Sequence, residues 1–182
     1  MITRRTCIQA AASLGLAGAI PTSVSYAAAC KDLITRAIPK TGERLPIVGL
    51  GTSATFRSVA QDDDISALKS VMRALIDNGG TVIDTAPSYG ASEEVCGDIA
   101  RESRDSYNIF WATKVNVASR ITGNADEDAA RAQIETSLNR LGKRPLDLIQ
   151  VHNLADLPTQ MPIIEEYKED RRIRYIGTTS TR

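Results

Sequence analysis

The sequence predicts an α/β fold, a (β/α)8 TIM barrel with an amino-terminal β-hairpin, on three observations. Short, nearly continuous apolar stretches alternate with amphipathic helical stretches from residue 46 onward. That is the pattern of parallel strands covered on both faces by crossover helices. Asp84, Lys114 and His152 each fall at the carboxyl end of a predicted strand, on three successive strands. In a barrel such ends open onto one mouth, where catalysis takes place. Finally, no Gly-x-Gly-x-x-Gly turn joins the first strand to its helix, which argues against a doubly wound dinucleotide-binding sheet.

The elements follow in order. Residues 38–47, with Thr41-Gly42 at their centre, read as a short hairpin. "PIVGLGTS" (46–53) is a first apolar strand ending in glycines. Residues 62–80 place Ile65, Leu68, Val71 and Leu75 at helical spacing, with an acidic start and Gly79-Gly80 as the stop. "TVIDTA" (81–86) is the second strand. Residues 92–103 form a short helix, with Ser92 as N-cap and Glu93 and Glu94 in its first turn. "YNIFWATKV" (107–115) is the third strand. Residues 126–142 form a long helix with a stripe of Ala130, Ile134, Leu138 and Leu141, stopped by Gly142. "LDLIQVHN" (146–153) is the fourth strand, residues 158–172 a helix opened by proline, and "IRYIGTTS" (173–180) the fifth strand.

The 182 residues carry 22 basic and 22 acidic side chains, about one domain with no basic excess for nucleic acid. One histidine and three cysteines without a C-x-x-C pair exclude a His-rich metal site and give no zinc framework. Cys96 reads as a buried helix thiol. A metal-dependent barrel hydrolase finds no ligand set with the spacing it needs.

The first 29 residues read as an address, leaving 30–182 for the fold. Arg4 and Arg5 precede a mildly apolar run from Cys7 to Ile20, then Pro21 and the small residues Ala27 to Ala29. That order is a secretory signal, too short to span a bilayer, which takes about 20 residues. The Thr-Arg-Arg-x-Cys-Ile-Gln run resembles a bacterial twin-arginine signal, with Cys7 and Ile8 in its two apolar places. The resemblance implies recognition by export machinery and a periplasmic or exported location. Cys30 stands where a lipid-attachment cysteine would, although Ala27 replaces the usual leucine.

Read singly, Asp84 caps a turn, Tyr89 is a loop aromatic, Lys114 reaches solvent and His152 bonds a backbone carbonyl. Together at one mouth they suit proton donation from a phenol. A free tyrosine, with a pKa of about 10, is a poor acid near neutrality. A neighbouring cation favours the phenolate. Lys114 can supply that charge, Asp84 can hold the ammonium, and His152 can orient a carbonyl oxygen. A carbonyl polarised in this way accepts a hydride. No side chain supplies one, so a nicotinamide cofactor must.

"GLGTS", "DTAPSYGASEE", "ATKV" and "LDLIQVHN" together resemble an aldo/keto reductase, from about Ile38 to the last residue. The resemblance implies a (β/α)8 barrel closed at its base by the hairpin. It also implies reduction of aldehydes and ketones with NADPH, less often NADH. Tyr89 would be the general acid, with Asp84, Lys114 and His152 supporting it. Gly51, Thr52 and Asn153 would lie beside the nicotinamide, as would Asp84. The family's Gly-Val-Ser-Asn appears here as Gly177-Thr178-Thr179-Ser180, making Thr179 and Ser180 cofactor contacts, with serine where an amide ligand is expected.

A full barrel takes about 250 residues, and only five strands are read here. The expectation is a truncated or frame-disrupted copy of a longer reductase, with the catalytic group complete and the later cofactor-gripping segments missing. The competing expectation is a non-catalytic, cofactor-binding or vestigial half-barrel, in which two open strand edges favour association.

Overall fold

The computed structural model describes residues 33–61, 64–119 and 121–180. The leader expectations, including Arg4, Arg5, Cys7 and Cys30, lie outside the described residues. Among the described residues no helix is long and apolar enough to cross a membrane.

Strands β1 (Thr35–Ala37) and β2 (Arg44–Pro46) form an antiparallel hairpin, pairing Thr35 with Pro46 and Ala37 with Arg44. Its first arm lies before the predicted 38–47, because Ile38 to Glu43 form the turn. There Gly42 adopts φ +75° and donates to the Ile38 carbonyl at 2.8 Å.

Five parallel strands follow: β3 (Leu50–Gly51), β4 (Val82–Asp84), β5 (Phe110–Val115), β6 (Leu146–Val151) and β7 (Ile173–Thr178). Their order in the sheet is their order in the sequence. A doubly wound sheet reverses that order at a switch point; this one keeps winding in one direction, as a barrel wall does. The helices are α1 (Thr55–Val59), α2 (Ser66–Asp77), α3 (Ser92–Ser103), α4 (Glu127–Leu141) and α5 (Leu157–Glu169). The strands are shorter than the apolar runs suggest, β3 above all. Helix α1, which the sequence pattern does not announce, buries Phe56.

Local chemistry accounts for the best-read helix. The Asp126 side chain caps α4 by accepting from the Ala129 N–H at 2.7 Å, and Gly142 ends it at φ +68°. Its four-residue stripe is buried as expected. For α2 the stripe differs. Leu68 and Met72 are buried, Ile65 and Leu75 are partly buried, and Val71 is 46% exposed. Met72, at 0% exposure, faces the core in its place. Met72→Ala should therefore cost about 2–3 kcal/mol, and Val71→Ala less than about 0.5 kcal/mol. Urea denaturation decides between them, and equal costs would contradict the observed helix rotation.

Ser92 is also not the cap expected of it. Ala91 is the N-cap residue, and the buried Ser92 hydroxyl donates instead to the Thr52 carbonyl at 3.0 Å. At the amino ends of β5–β7, the buried Asp147 carboxylate accepts from the Trp111 N–H (2.8 Å), Lys143 Nζ (2.7 Å) and Arg174 Nη1 (2.6 Å). Arg174 also pairs with Glu43 in the hairpin turn. This network ties the hairpin to the base of the sheet and leaves the carboxyl ends open.

Candidate active site at the carboxyl ends of the strands

Asp84 is the last residue of β4, and Lys114 lies one residue from the end of β5. Their strands pair in parallel, Asp84 opposite Ala112. This register lets the lysine reach across. Lys114 Nζ donates to both Asp84 carboxylate oxygens at 2.8 Å and to the Thr85 carbonyl at 2.8 Å. An ammonium has three donors, so all of them are committed. The lysine side chain is 4% exposed and the aspartate 42%. A buried ammonium is tolerable only with such partners.

Tyr89 sits on a turn between β4 and α3, its N–H donating to the Ala86 carbonyl at 3.0 Å. Gly90 follows it at φ +61°, where a Cβ would stand 2.6 Å from Gln61 Nε2. The half-buried Tyr89 ring lies under the ammonium, with Lys114 Nζ 5.1 Å from its centroid. Because the three N–H groups are spent elsewhere, the lysine acts on this ring through its charge.

His152 opens the 3-10 turn His152–Leu154 that follows β6. Its ring meets Tyr89 edge-on, with centroids 5.9 Å apart and planes at 82°. Burial pushes the imidazole below its usual 6.5; the Lys114 charge pushes the same way and Asp84 opposes them. A neutral ring near pH 7 can orient a polar oxygen. The structure thus brings Tyr89, Asp84, Lys114 and His152 to one place, from three strand ends and one turn.

The other expected residues ring this group unequally. A Cβ at Gly51 would meet nothing within 4 Å, so the end of β3 is open. Thr52 is fully buried, its backbone N–H and its hydroxyl both donating to the Asp84 carbonyl at 3.0 and 3.2 Å. It shapes the site from beneath. Asn153 is exposed in a left-handed conformation (φ +58°), its N–H held by the Thr179 hydroxyl at 2.8 Å. Thr179 is half-buried and Ser180 exposed, just past β7. An open glycine, an exposed carboxamide and an exposed hydroxyl suit a flat ring bearing an amide, the nicotinamide end of a cofactor. Among the described residues no group of three His, Cys, Asp or Glu side chains could hold a metal ion.

Sequence reasoning missed Glu93. It reads only as one of two acids in the first turn of a helix; it is fully buried and accepts from the Thr113 hydroxyl at 2.6 Å, with Arg140 Nη1 at 3.4 Å. Its only signal was its place in the Ser-Glu step after Tyr89-Gly90.

Fold and site together define an α/β-barrel protein with a tyrosine, a lysine–aspartate pair and a neutral histidine at the mouth. The aldo/keto reductase family model matches residues 47–182, and the chain belongs to that family. The aldo-keto reductase YhdN of Bacillus subtilis is 30% identical over 151 residues, 79% of this chain and 46% of the relative. The D-arabinose 1-dehydrogenase of Saccharomyces cerevisiae is 27% identical over 136 residues, 72% of this chain and 40% of the relative. Among solved structures, an aldo/keto reductase from Brucella melitensis superposes with a TM-score of 0.62 at 26% identity, covering 82% of this chain and 55% of that one. One from Klebsiella pneumoniae, in complex with NADP and acetate, gives 0.56 at 29% identity, covering 75% and 46%. The chain spans about half the length of the curated relatives it matches.

Proposed function

We propose that this chain carries the catalytic half of an NADPH-dependent reductase of aldehydes or ketones, with NADH as the alternative donor, and that Tyr89 is its general acid. The observation that carries the reading is the triply bonded Lys114 ammonium lying 5.1 Å from the Tyr89 ring centroid, with His152 at the ring's edge. Gly51, Asn153, Thr179 and Ser180 would hold the nicotinamide end, and Thr52 would support Asp84 from below. When bound, the cofactor supplies a hydride to the carbonyl carbon. Tyr89 gives its proton to the carbonyl oxygen as the alcohol forms. The phenolate left behind faces the Lys114 charge, which offsets it. His152, uncharged, orients the carbonyl oxygen without competing as an acid.

The test follows carbonyl-dependent loss of NADPH absorbance over a panel of aldehydes and ketones. It uses the chain alone and the chain joined to the unaligned remainder of the Bacillus subtilis relative. Turnover in either form supports the reading. NADPH binding without turnover in both would favour the non-catalytic alternative.

We also propose export through a twin-arginine signal, supported by Arg4-Arg5 and the weakly apolar run behind them. In a bacterial host, replacing both arginines with lysine should retain the protein in the cytoplasm. Unchanged export would sink the idea.

A further inference from the structure

The first two residues of α3 are both fully buried, one bonding the residue that follows β3 and the other bonding β5. The Ser92 hydroxyl donates to the Thr52 carbonyl at 3.0 Å, and Thr52 in turn donates twice to the carbonyl of Asp84. The Glu93 carboxylate accepts from the hydroxyl of Thr113, the residue before Lys114 in β5, at 2.6 Å. The same turn also carries the tyrosine, since the Ser92 N–H donates to the Tyr89 carbonyl at 3.2 Å.

A buried carboxylate at a helix start is costly unless its acceptors are used. Helix formation alone does not explain Glu93, because a surface acid would serve the helix end equally well. Its partners lie 20 and 47 residues away, on β5 and at the end of α4. From these contacts we propose that Ser92 and Glu93 are positioning residues. They fix the Tyr89 turn against β3 and β5, and so set the tyrosine over the Lys114–Asp84 pair. Without them, the start of α3 loses its side-chain ties to Thr52 and β5, and the tyrosine turn loosens with it.

The proposal rests on the four residues being one site, and its readout does not require turnover. His152 is the only histidine in the chain, so its ring resonances give one unambiguous NMR titration. In the unaltered protein its midpoint should lie below 6.5, because the ring is partly buried beside Lys114. Ser92→Ala and Thr113→Val should each raise that midpoint towards 6.5 while melting remains cooperative. Entry of water and retreat of the Lys114 charge from the ring both act in that direction. Thr113→Ser keeps the hydroxyl and should restore the original midpoint.

Variants that melt earlier with the His152 midpoint unmoved would show a merely structural contact and overturn the proposal. If Thr113→Val does not fold, Ser92→Ala, which removes one neutral hydroxyl, decides the matter. A reductase assay that fails while the titration behaves as stated would refute turnover and leave the positioning role standing.

Discussion

Tyr89→Phe is expected to lower the rate of carbonyl reduction by about 10²–10⁴-fold, the usual contribution of a positioned acid. It should do so with almost no loss of stability. The substitution removes one oxygen from a half-buried ring. The edge contact with His152 at 5.9 Å and the position under the Lys114 ammonium at 5.1 Å both belong to the ring and survive. The melting temperature should therefore move by no more than about 2 °C. Lys114→Met is the informative companion. It removes the charge, but it also strips the donors from the Asp84 carboxylate and the buried Thr85 carbonyl. Activity and stability should fall together there, because the buried Thr85 carbonyl is left without its donor while the half-exposed Asp84 can turn to water. If Tyr89→Phe retained most of the activity, the proton would come from elsewhere and the assignment of Tyr89 would fail.

Among the glycines of the described residues, Gly97 is expected to lose the most stability on substitution by alanine. Gly97 lies in the middle of α3, where an alanine would normally help a helix by about 1 kcal/mol. Here a Cβ would stand 1.9 Å from the backbone carbonyl oxygen of Arg140, near the end of α4. That contact is with backbone, so no rotamer change relieves it. The same carbonyl accepts from Arg101 Nη1 at 2.8 Å, which pins the two helices at this distance. The expected cost is about 4 kcal/mol or more, a fall in melting temperature of roughly 10 °C. Scanning calorimetry measures it. A neutral or stabilising result would mean that α3 and α4 pack farther apart than described.

Helix α3 joins the two cases. Its start holds the tyrosine turn and its middle sets the spacing to α4, whose Arg140 reaches back to Glu93. A methyl group at Gly97 is therefore expected to disturb the mouth as well as the fold.

Much of this was legible from the chain. The span, stripe and glycine stop of α4 come from local rules, and the structure reproduces them because Gly142 and the four apolar residues act within their own helix. The fold class was legible because alternating strands and helices leave few topologies. The grouping of Asp84, Lys114 and His152 followed from counting strand ends, since a parallel winding puts all such ends on one side. Elsewhere the local signal misled. Val71 and Met72 are adjacent, and either completes a plausible stripe; the packing of α2 against the sheet chose Met72. Ser92 looked like a cap and is a tether. Asp147, which the strand pattern passes over, is the buried centre of the network that seats the hairpin.

The sequence by itself determined the order of the five parallel strands and of the four longer helices between them, and which four side chains stand near the mouth. Hydrophobic period and strand direction are properties of each segment and its neighbours. Only the tertiary structure decided that Lys114 spends all three protons on Asp84 and Thr85, that Glu93 is buried against Thr113, and that Gly97 can have no side chain. Each of those depends on a contact made across the sheet or between helices, at distances a segment cannot encode until its neighbours have packed.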